Sequence, residues 1–199
     1  MMIQEQRPSA VTITSSRTME GFSLYENDIQ KLTIQYPSTW NKKEVLLNND
    51  DTGLDVMFVV PIGTQFSKEE DSKTISDKTR YVIYNQYSAE VVLSLRRLPV
   101  HETYTLLDIT NGHIHALGIC FDNVNLVETL YNHKIGKMRA SKLLYTYTDP
   151  LQNHIRKEGM KIIWVNEHKE ICITYSSQTQ DFDRSLPTIH RMVDTLSIL

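Results

Sequence analysis

The chain has 199 residues, of which 40% are apolar and 23% are charged. This length is enough for one well-buried core and is short of the roughly 250 to 300 residues at which chains usually divide into domains. The 24 acidic and 21 basic side chains give a net charge of −3, which provides no positive surface for nucleic acid or anionic lipid. We therefore expect one folded domain with no nucleic-acid partner.

The N-terminal residues 1–21 are polar almost throughout and lack the roughly 7–15-residue apolar stretch of a signal peptide. We predict that they form a flexible extension ahead of the domain. The longest apolar run, Val56 to Ile62, has only the length of a strand, well below the ~18 residues of a membrane-spanning helix. These features predict a soluble, cytoplasmic protein without direct membrane insertion. A start of translation upstream of Met1 would leave room for export.

The first part of the chain carries strand patterns. Apolar and polar residues alternate over 32–36, as they do when one face of a strand covers a core, and Pro37 ends the strand. Lys43 to Asn48 and Leu54 to Val60 flank an Asn-Asp-Asp-Thr-Gly segment that is typical of a hairpin turn. Gly63 to Arg80 holds one aromatic residue and mixed charges, which predicts a long surface loop.

The middle of the chain changes from strand to helix patterns. Tyr81 to Tyr87 and Ala89 to Leu98 are rich in valine, leucine and tyrosine, which predicts strands. From Tyr104 to Phe121 the apolar residues recur at near-helical spacing. The residues predicted to share the buried side of this helix are Leu107, Ile114, Leu117 and Phe121.

The remaining patterns predict four strands and a final helix. The strands span Asn125 to Lys134, Met138 to Thr148, Arg156 to Val165 and Glu170 to Ser177, with a four-residue polar connection, 166–169, before the last one. The helix carries an uninterrupted apolar stripe of Phe182, Leu186, Ile189, Val193 and Leu196. Asp181 or Asp183 is suited to cap its N-terminus, and Pro187 is expected in or near its first turn.

This order of elements predicts the fold class. Four or five strands precede the first helix, and four strands precede the second. Strands joined by short hairpins pair antiparallel, and two helices with apolar faces are suited to cover a sheet. The prediction is an α+β fold, a sandwich with a central, mostly antiparallel sheet.

Segments spread along the chain resemble those of PsbP-like domains. An aromatic-rich first strand, Phe22 to Asn27, is followed by an extended segment from Leu32 that ends in the Tyr-Pro-x-x-Trp pattern of Tyr36 to Trp40. Further similarities are Val56 to Pro61, the Gly-x-x-x-Ala of Gly136 to Ala140 with the apolar strand after it, Ile171 to Ser176, and the tail from Met192 to Leu196. The resemblance covers residues 22–199 in the same order throughout, as a single PsbP-like domain.

The resemblance implies an α/β/α sandwich, the fold of PsbP and of the Mog-type Ran-binding proteins. Most members are not enzymes: PsbP is an extrinsic subunit of photosystem II that helps to retain calcium and chloride, and Mog-type proteins bind a small GTPase in nuclear import. We therefore expect a non-enzymatic accessory domain that binds a protein partner. Two alternatives stay open. One is a small-ligand-binding protein or enzyme that uses a cleft of the sandwich, and the other is a metal-dependent accessory protein resembling the photosystem II subunit.

Two sets of side chains are candidate metal ligands. His113 and His115 form a His-x-His pair, but residues two apart on a helix point about 200° apart, so they could chelate one ion only on a strand. Asp50, Asp51 and Asp55 could hold calcium in a hairpin, although their segment does not fit an EF-hand loop. Ordinary helix residues and a solvated turn are the favoured interpretations. We therefore expect no cofactor, and calcium is the alternative.

Catalytic motifs are absent from the sequence. There is no Gly-x-Ser-x-Gly elbow, no His-Glu-x-x-His, no Cys-x-x-Cys and no Walker loop. We therefore assign no catalytic and no cofactor-binding residues. The sequence predicts that the protein is not an enzyme.

The cysteines and tryptophans have structural interpretations. Cys120 and Cys172 lie among apolar neighbours and are expected to be buried thiols without a disulfide. Trp164 is part of an apolar run and is expected in the core. Trp40 follows a strand end and is expected to cover the edge of the sheet.

Overall fold

The computed structural model describes residues 18–46, 53–61, 87–135, 138–152, 154–166 and 168–198. Its elements are β1 (Phe22–Asn27), β2 (Leu32–Pro37), β3 (Asn41–Leu46), β4 (Gly53–Pro61), β5 (Tyr87–Arg97), α1 (Leu106–Cys120), β6 (Asp122–Ile135), β7 (Met138–Asp149), β8 (Ile155–Asn166), β9 (Lys169–Gln178), α2 (Thr179–Asp194) and β10 (Ser197–Ile198). The predicted order of four or five strands, a helix, four strands and a helix agrees with the described elements, except that β10 was not predicted. The predicted loop over 63–80 and the predicted strand residues 81–86 lie outside the described residues.

Seven of the ten described strands form the central sheet. Their order is β3-β4-β5-β9-β8-β7-β6, and every neighbouring pair is antiparallel. This arrangement confirms the α+β class and the central antiparallel sheet. One predicted connection is wrong. Asn166 is the last residue of β8 and pairs with Lys169, the first residue of β9, so the strand pairing continues into the predicted connection.

A small second sheet and α2 cover one face of the central sheet. The small sheet has the order β1-β2-β10, and its Tyr25, Leu32 and Ile34 share one apolar cluster with the central strands and α2. Thr195, which follows α2, accepts a hydrogen bond from the backbone N–H of Gln35 at 2.9 Å. The first hairpin therefore belongs to the layer that contains α2. Pattern alone does not predict this, because alternation shows that a strand has a buried face but not which sheet it joins.

α1 packs on the opposite face of the central sheet. It begins with a capping box, in which Thr105 Oγ1 accepts from Asp108 N at 3.1 Å and Thr105 N donates to the Asp108 carboxylate at 2.9 Å. Ile114, Leu117 and Phe121 pack against the sheet as predicted. The prediction for Leu107 is wrong: its side chain is exposed, and Leu106 packs against the sheet instead. A helix of 3.6 residues per turn presents one of two adjacent leucines inward, and the sequence pattern favoured the other one.

α2 packs its predicted apolar residues Phe182, Ile189 and Val193 into the core. Two details differ from the sequence prediction. The helix begins at Thr179 after Gln178, which caps it without a side-chain hydrogen bond, so neither predicted aspartate is the cap residue. Pro187 lies in the helix interior, because the pairing of β9 ends at Gln178 and the helix starts directly after it. Neither described helix is long and apolar enough to cross a membrane.

The interior position of Pro187 predicts a stabilising substitution. Proline inside a helix removes one backbone hydrogen bond and costs about 3 kcal/mol relative to alanine. Pro187 is exposed, so alanine would leave no cavity. We expect Pro187→Ala to raise the free energy of unfolding by roughly 2 kcal/mol, after about 0.4–1 kcal/mol is lost through the greater freedom of the unfolded chain. Urea unfolding measures this change, and a destabilised Pro187→Ala variant would show that the packing of α2 depends on the proline.

Candidate functional site

The face of the central sheet that packs against α1 carries polar side chains from several strands. Side chains alternate between the two faces of a sheet, so residues paired across neighbouring strands share a face. One such row runs through Glu90, Ser176, Gly159 and Tyr145. Tyr145 packs in the same apolar cluster as Leu117 of α1, which places the row on the α1 face. Two polar clusters lie on this face.

The His113 cluster consists of His113, Lys161 and Glu170. His113 Nε2 lies 2.8 Å from Glu170 Oε1, and Lys161 Nζ lies 3.5 Å from His113 Nδ1. The ring can therefore donate to Glu170 from one nitrogen and accept from Lys161 at the other. Burial acts to raise the pKa of Glu170, but the hydrogen bond and charge of His113, together with the charges of Arg96 and Lys161, outweigh burial and lower the pKa.

The two histidines of the His-x-His pair lie on different sides of α1. His113 faces Glu170 on the sheet, whereas His115 is exposed. The helix therefore separates them, as its geometry requires, and the structure does not bring them together. Within the described ranges, no group of three histidine, cysteine, aspartate or glutamate side chains is arranged to hold a metal ion.

The acidic candidates for calcium are only partly described. Asp50 and Asp51 lie outside the described residues. Asp55 lies in β4 opposite Ser94, and its Oδ1 is buried without a hydrogen-bond partner in the described part of the chain. A calcium ion takes six to eight oxygen ligands, and the residues described around Asp55 provide no such set.

The Glu90 cluster consists of Glu90, Tyr147, Asp149, Lys157 and Ser176, from four neighbouring strands. Ser176 Oγ donates to Glu90 Oε1 at 2.9 Å, and Lys157 Nζ lies 3.5 Å from Asp149 Oδ2. Lys157 and Asp149 are both buried, so each charge depends on the other for compensation. The cluster thus combines two carboxyl groups with one ammonium group in a mostly buried setting.

Burial in this cluster favours the neutral forms of Glu90 and Tyr147. Burial raises the pKa of Glu90, and the nearby Asp149 raises it further, while Lys157 and the hydrogen bond from Ser176 act in the opposite direction. Burial likewise raises the pKa of Tyr147 above its ordinary range. Glu90 can therefore hold a proton at a higher pH than an exposed glutamate. A site of this kind can store or release a proton, but it presents no activated nucleophile.

The opposite pKa shifts of Glu90 and Glu170 predict opposite pH trends. Because the folded-state pKa of Glu90 is raised above its usual 4.5, folded protein binds more protons above that pH, and stability falls as pH rises. Glu90→Gln removes this pH-dependent loss of stability. The free energy of unfolding of the variant, minus that of the unmodified protein, should therefore increase from pH 4 to pH 7. The lowered pKa of Glu170 gives stability that is present above pH 4.5 and is lost as pH falls. Glu170→Gln should therefore be most destabilised at pH 7.

Urea unfolding of both variants across this pH range measures the two trends. Each variant serves as the control for the other, since both replace a glutamate on the same sheet face with its uncharged isostere. Parallel pH trends in the two variants would contradict the assignment of opposite environments.

The two cysteines have different environments. Cys172 is buried, as predicted, but Cys120 is exposed, so the prediction of burial is wrong for Cys120. Cys120 is the last residue of α1 and lies on its outer side, which apolar neighbours in sequence do not reveal. Both thiols are free. Burial raises the pKa of the Cys172 thiol, the opposite of the lowered pKa of a catalytic thiol.

Exposed apolar side chains are concentrated on two consecutive elements. Nine large apolar side chains are exposed in the described ranges, and six of them lie on α1 and β6. The two on α1 are Leu107 and Ile119, and the four on β6 are Leu126, Val127, Leu130 and Tyr131. We call these six residues the α1–β6 surface. Leu126 pairs with Tyr145 on the α1 face, whereas Leu130 pairs with Lys142 on the opposite face. Single exposed apolar residues are ordinary, but a concentration on two elements that contact each other makes a candidate interaction site.

The outer side of α1 is also nearly free of charge. Among its 15 residues only Asp108 is acidic and none is lysine or arginine, and the Asp108 carboxylate is engaged in the capping box. α2, by contrast, carries five charged side chains on 16 residues. A helix at the surface of a globular protein normally presents charged and polar residues to water. α1 presents Leu107, Gly112, Ala116 and Ile119 together with the uncharged polar Asn111 and with His115.

Sequence reasoning missed both the Glu90 cluster and the α1–β6 surface. The members of the cluster are spread over residues 90–176 and meet only through strand register. A polar residue at an inward position of an alternating strand, such as Glu90 between Ala89 and Val91, was the available signal. The lack of lysine, arginine and glutamate in α1 was the corresponding signal for the surface.

Comparison with solved structures places this architecture among known folds. The cyanobacterial PsbP protein (CyanoP) of Synechocystis sp. PCC 6803 superposes with a TM-score of 0.58 at 11% identity, covering 96% of this chain and 98% of that chain. The Saccharomyces cerevisiae Ran-binding protein Mog1p superposes with a TM-score of 0.50 at 9% identity, covering 89% of this chain and 95% of that chain.

A protein of unknown function from Pseudomonas aeruginosa, PA94, described as a putative regulator, superposes with a TM-score of 0.51 at 11% identity, covering 89% of this chain and 97% of that chain. No protein-family model matches the sequence, and no curated protein matches it. Coverage of nearly the whole length of each structure, at such low identity, is a likeness of fold. The chain has the PsbP/Mog-type fold, as its sequence resemblance predicted.

Proposed function

We propose that this protein is a non-enzymatic accessory domain that binds a protein partner through the α1–β6 surface. The observation that carries the proposal is the concentration of exposed apolar side chains on α1 and β6. Removal of such side chains from water is the main favourable term in protein association, worth about 25 cal/mol per Å² of apolar area.

The chemistry of α1 supports this interpretation. Charged side chains must lose their hydration when a partner covers them, and the cores of protein interfaces are depleted in charge. The outer side of α1 meets this requirement, since its one carboxylate is engaged by Thr105. Gly112 and Gly118 also leave open space above the helix backbone, so a partner can approach α1 closely.

The polar clusters give weaker support to an enzyme. The His113 cluster offers a base with a carboxylate to orient it, but the thiol of the nearby Cys172 has a raised pKa. In the Glu90 cluster the pKa of Glu90 is raised, mainly by burial, but the cluster presents no activated nucleophile. The fold is shared with a Ran-binding protein, so a partner-binding role on this fold has a precedent.

Ile119→Lys tests the role of α1 without disturbing the fold. Ile119 is 72% exposed, and a lysine in the last turn of a helix that has no basic residue there is favourable to the helix. We expect the free energy of unfolding to change by less than about 0.5 kcal/mol. We expect partner affinity to fall at least tenfold, because an unpaired ammonium buried at the interface costs more than about 1.4 kcal/mol.

The matched control is Leu151→Lys, which places the same side chain at a residue with 66% exposure outside α1 and β6. Tagged unmodified protein and both variants are purified from cells that express the protein natively, and their bound proteins are compared by quantitative mass spectrometry. A partner retained by the unmodified protein and Leu151→Lys but lost by Ile119→Lys would support the proposal. Equal retention by all three proteins would contradict it.

A further inference from the structure

We propose that two copies of this chain associate through β6, with the two strands antiparallel about a two-fold axis at Thr129. The inference rests on the proposed function, since it names a second copy as the occupant of the β6 part of the α1–β6 surface. The outer side of α1 stays open for a different protein. Each copy then contributes an identical edge, as a two-fold interface requires.

β6 is an edge strand with an apolar outer side. It pairs with β7 on one side and ends the order of the described central sheet on the other. Its register with β7 shifts three times: between Asp122 and Asn125, and on either side of the central segment 128–130, at Val127 and within 131–132. The side chains of Val127 and Tyr131 are exposed, Val127 by 63% and Tyr131 by 41%. Bulges usually protect an edge by turning it away from other strands, but here the bulged positions carry apolar side chains.

The positions of these bulges make β6 symmetric about Thr129. Val124 packs with the cluster beneath α1, and Lys134 pairs with Arg139 on that same face. Asn125 and His133 pair with residues of β7 that face the other side. In an antiparallel pair centred on Thr129, Val124 lies opposite Lys134 of the copy, and Asn125 lies opposite His133. In both of these pairs the two side chains lie on the same face of the combined sheet, as regular antiparallel pairing requires.

The same register brings the apolar bulge residues together. Val127 of one copy lies opposite Tyr131 of the other, and the symmetry repeats this contact. Aromatic side chains paired with β-branched ones are among the favourable cross-strand pairs. Leu130 lies opposite Glu128, whose carboxylate is already held by Lys142 at 3.1 Å.

The charges of β6 are complementary in this arrangement. Asp122 lies at the N-terminal end of the strand, and His133 and Lys134 lie at the C-terminal end. Antiparallel pairing brings Asp122 of one copy toward His133 of the other, since both side chains lie on the face away from α1, whereas Lys134 lies on the α1 face. Parallel pairing would place like charges together. Charge therefore favours the antiparallel orientation.

A disulfide across the axis tests the register directly. Thr129→Cys, in a background with the exposed Cys120 replaced by serine, places two thiols on residues that face each other across the two-fold axis. Paired strand residues have Cα atoms about 4.5–5.5 Å apart, within the range of a disulfide. Asn125→Cys in the same background is the control, because two cysteines there would lie roughly 27 Å apart.

Under oxidising conditions we expect a covalent dimer from Thr129→Cys and none from Asn125→Cys. Equal cross-linking of the two variants, or failure of Thr129→Cys to cross-link, would overturn the proposed register.

Sedimentation equilibrium tests the association without engineered thiols. We expect the unmodified protein to be in a monomer–dimer equilibrium. Val127→Lys should raise the dissociation constant at least 100-fold, because symmetry introduces the lysine twice, at a cost of tenfold or more each. Leu151→Lys, at similar exposure, should leave the constant unchanged.

An unmodified protein that stays monomeric at all concentrations would overturn the dimer. That result would leave the proposed function untouched, because the loss of a different partner from Ile119→Lys is measured separately. A dimer that is insensitive to Val127→Lys would likewise overturn the assignment to β6.

Discussion

Trp164→Ala is expected to lower the free energy of unfolding by about 3–5 kcal/mol, the cost of removing a large aromatic side chain from a packed core. Trp164 is 1% exposed and lies in the cluster formed by the central sheet, α2 and the small sheet. It lies in β8 and pairs with Ala140 of β7 on one side and with Ile171 of β9 on the other. Ala140 has a small side chain and therefore leaves room for the indole ring. For the same reason it cannot fill the cavity that Trp164→Ala would create.

Trp164→Phe provides the comparison for the alanine variant. Trp164 Nε1 is buried and has no hydrogen-bond partner within the described ranges, and an unpaired buried donor costs about 1–3 kcal/mol. Phenylalanine removes this donor and keeps most of the apolar contact, so we expect a smaller loss of about 1–2 kcal/mol. Urea unfolding of both variants measures the difference. A loss below 1 kcal/mol for Trp164→Ala would contradict the placement of Trp164 in the core.

Gly159→Ala is expected to destabilise the protein by about 1–3 kcal/mol, the usual cost of adding a methyl group to a filled site. The ring of Tyr145 lies directly over Gly159, and a Cβ atom there would come within 2.6 Å of Tyr145 Cε2 and overlap the ring. Tyr145 is 2% exposed and is held by Tyr147 and other residues of the cluster beneath α1. The ring therefore has no free space into which to move.

A double-mutant cycle isolates this contact. In a Tyr145→Ala background, Gly159→Ala should cost nothing or stabilise the protein by about 0.5–1 kcal/mol, because glycine weakens a strand. The coupling energy should thus be about 2 kcal/mol. Equal effects of Gly159→Ala in the two backgrounds would show that the Tyr145 ring is not the reason for glycine at this position.

The spacing of apolar residues predicted which segments are helices and strands. It did not predict which side of each element faces the core. The helix at 104–121 was predicted and is present, yet Leu106 is its inward residue and Leu107 is exposed. Rotation by one residue changes the apolar pattern little, since the outer side of α1 is itself apolar. The exposed apolar side chains that made the orientation of α1 hard to predict are therefore the ones that belong to the proposed binding surface.

Long-range contacts account for the other differences. Pro187 lies inside α2 because the helix starts where the pairing of β9 ends. The apolar pattern of the helix residues does not show where that pairing ends. The Glu90 cluster requires the registers of β5 with β9, β9 with β8, and β8 with β7. A shift of one residue in any of these pairings would turn part of the cluster to the other face. Resemblance to a fold does not supply register, so the sequence predicted the fold but not the cluster.

The most direct test of the binding surface is a photo-cross-linking scan in cells that express the protein natively. A photoreactive amino acid is placed singly at Leu107 and Ile119 of α1, and at Ile29 and Leu151 as exposed controls, 67% and 66% exposed. We expect the same partner protein to be captured from both α1 positions and from neither control. Capture of that partner from the controls as efficiently as from α1, or no capture from α1, would contradict the assignment of α1 as the surface that binds a protein partner.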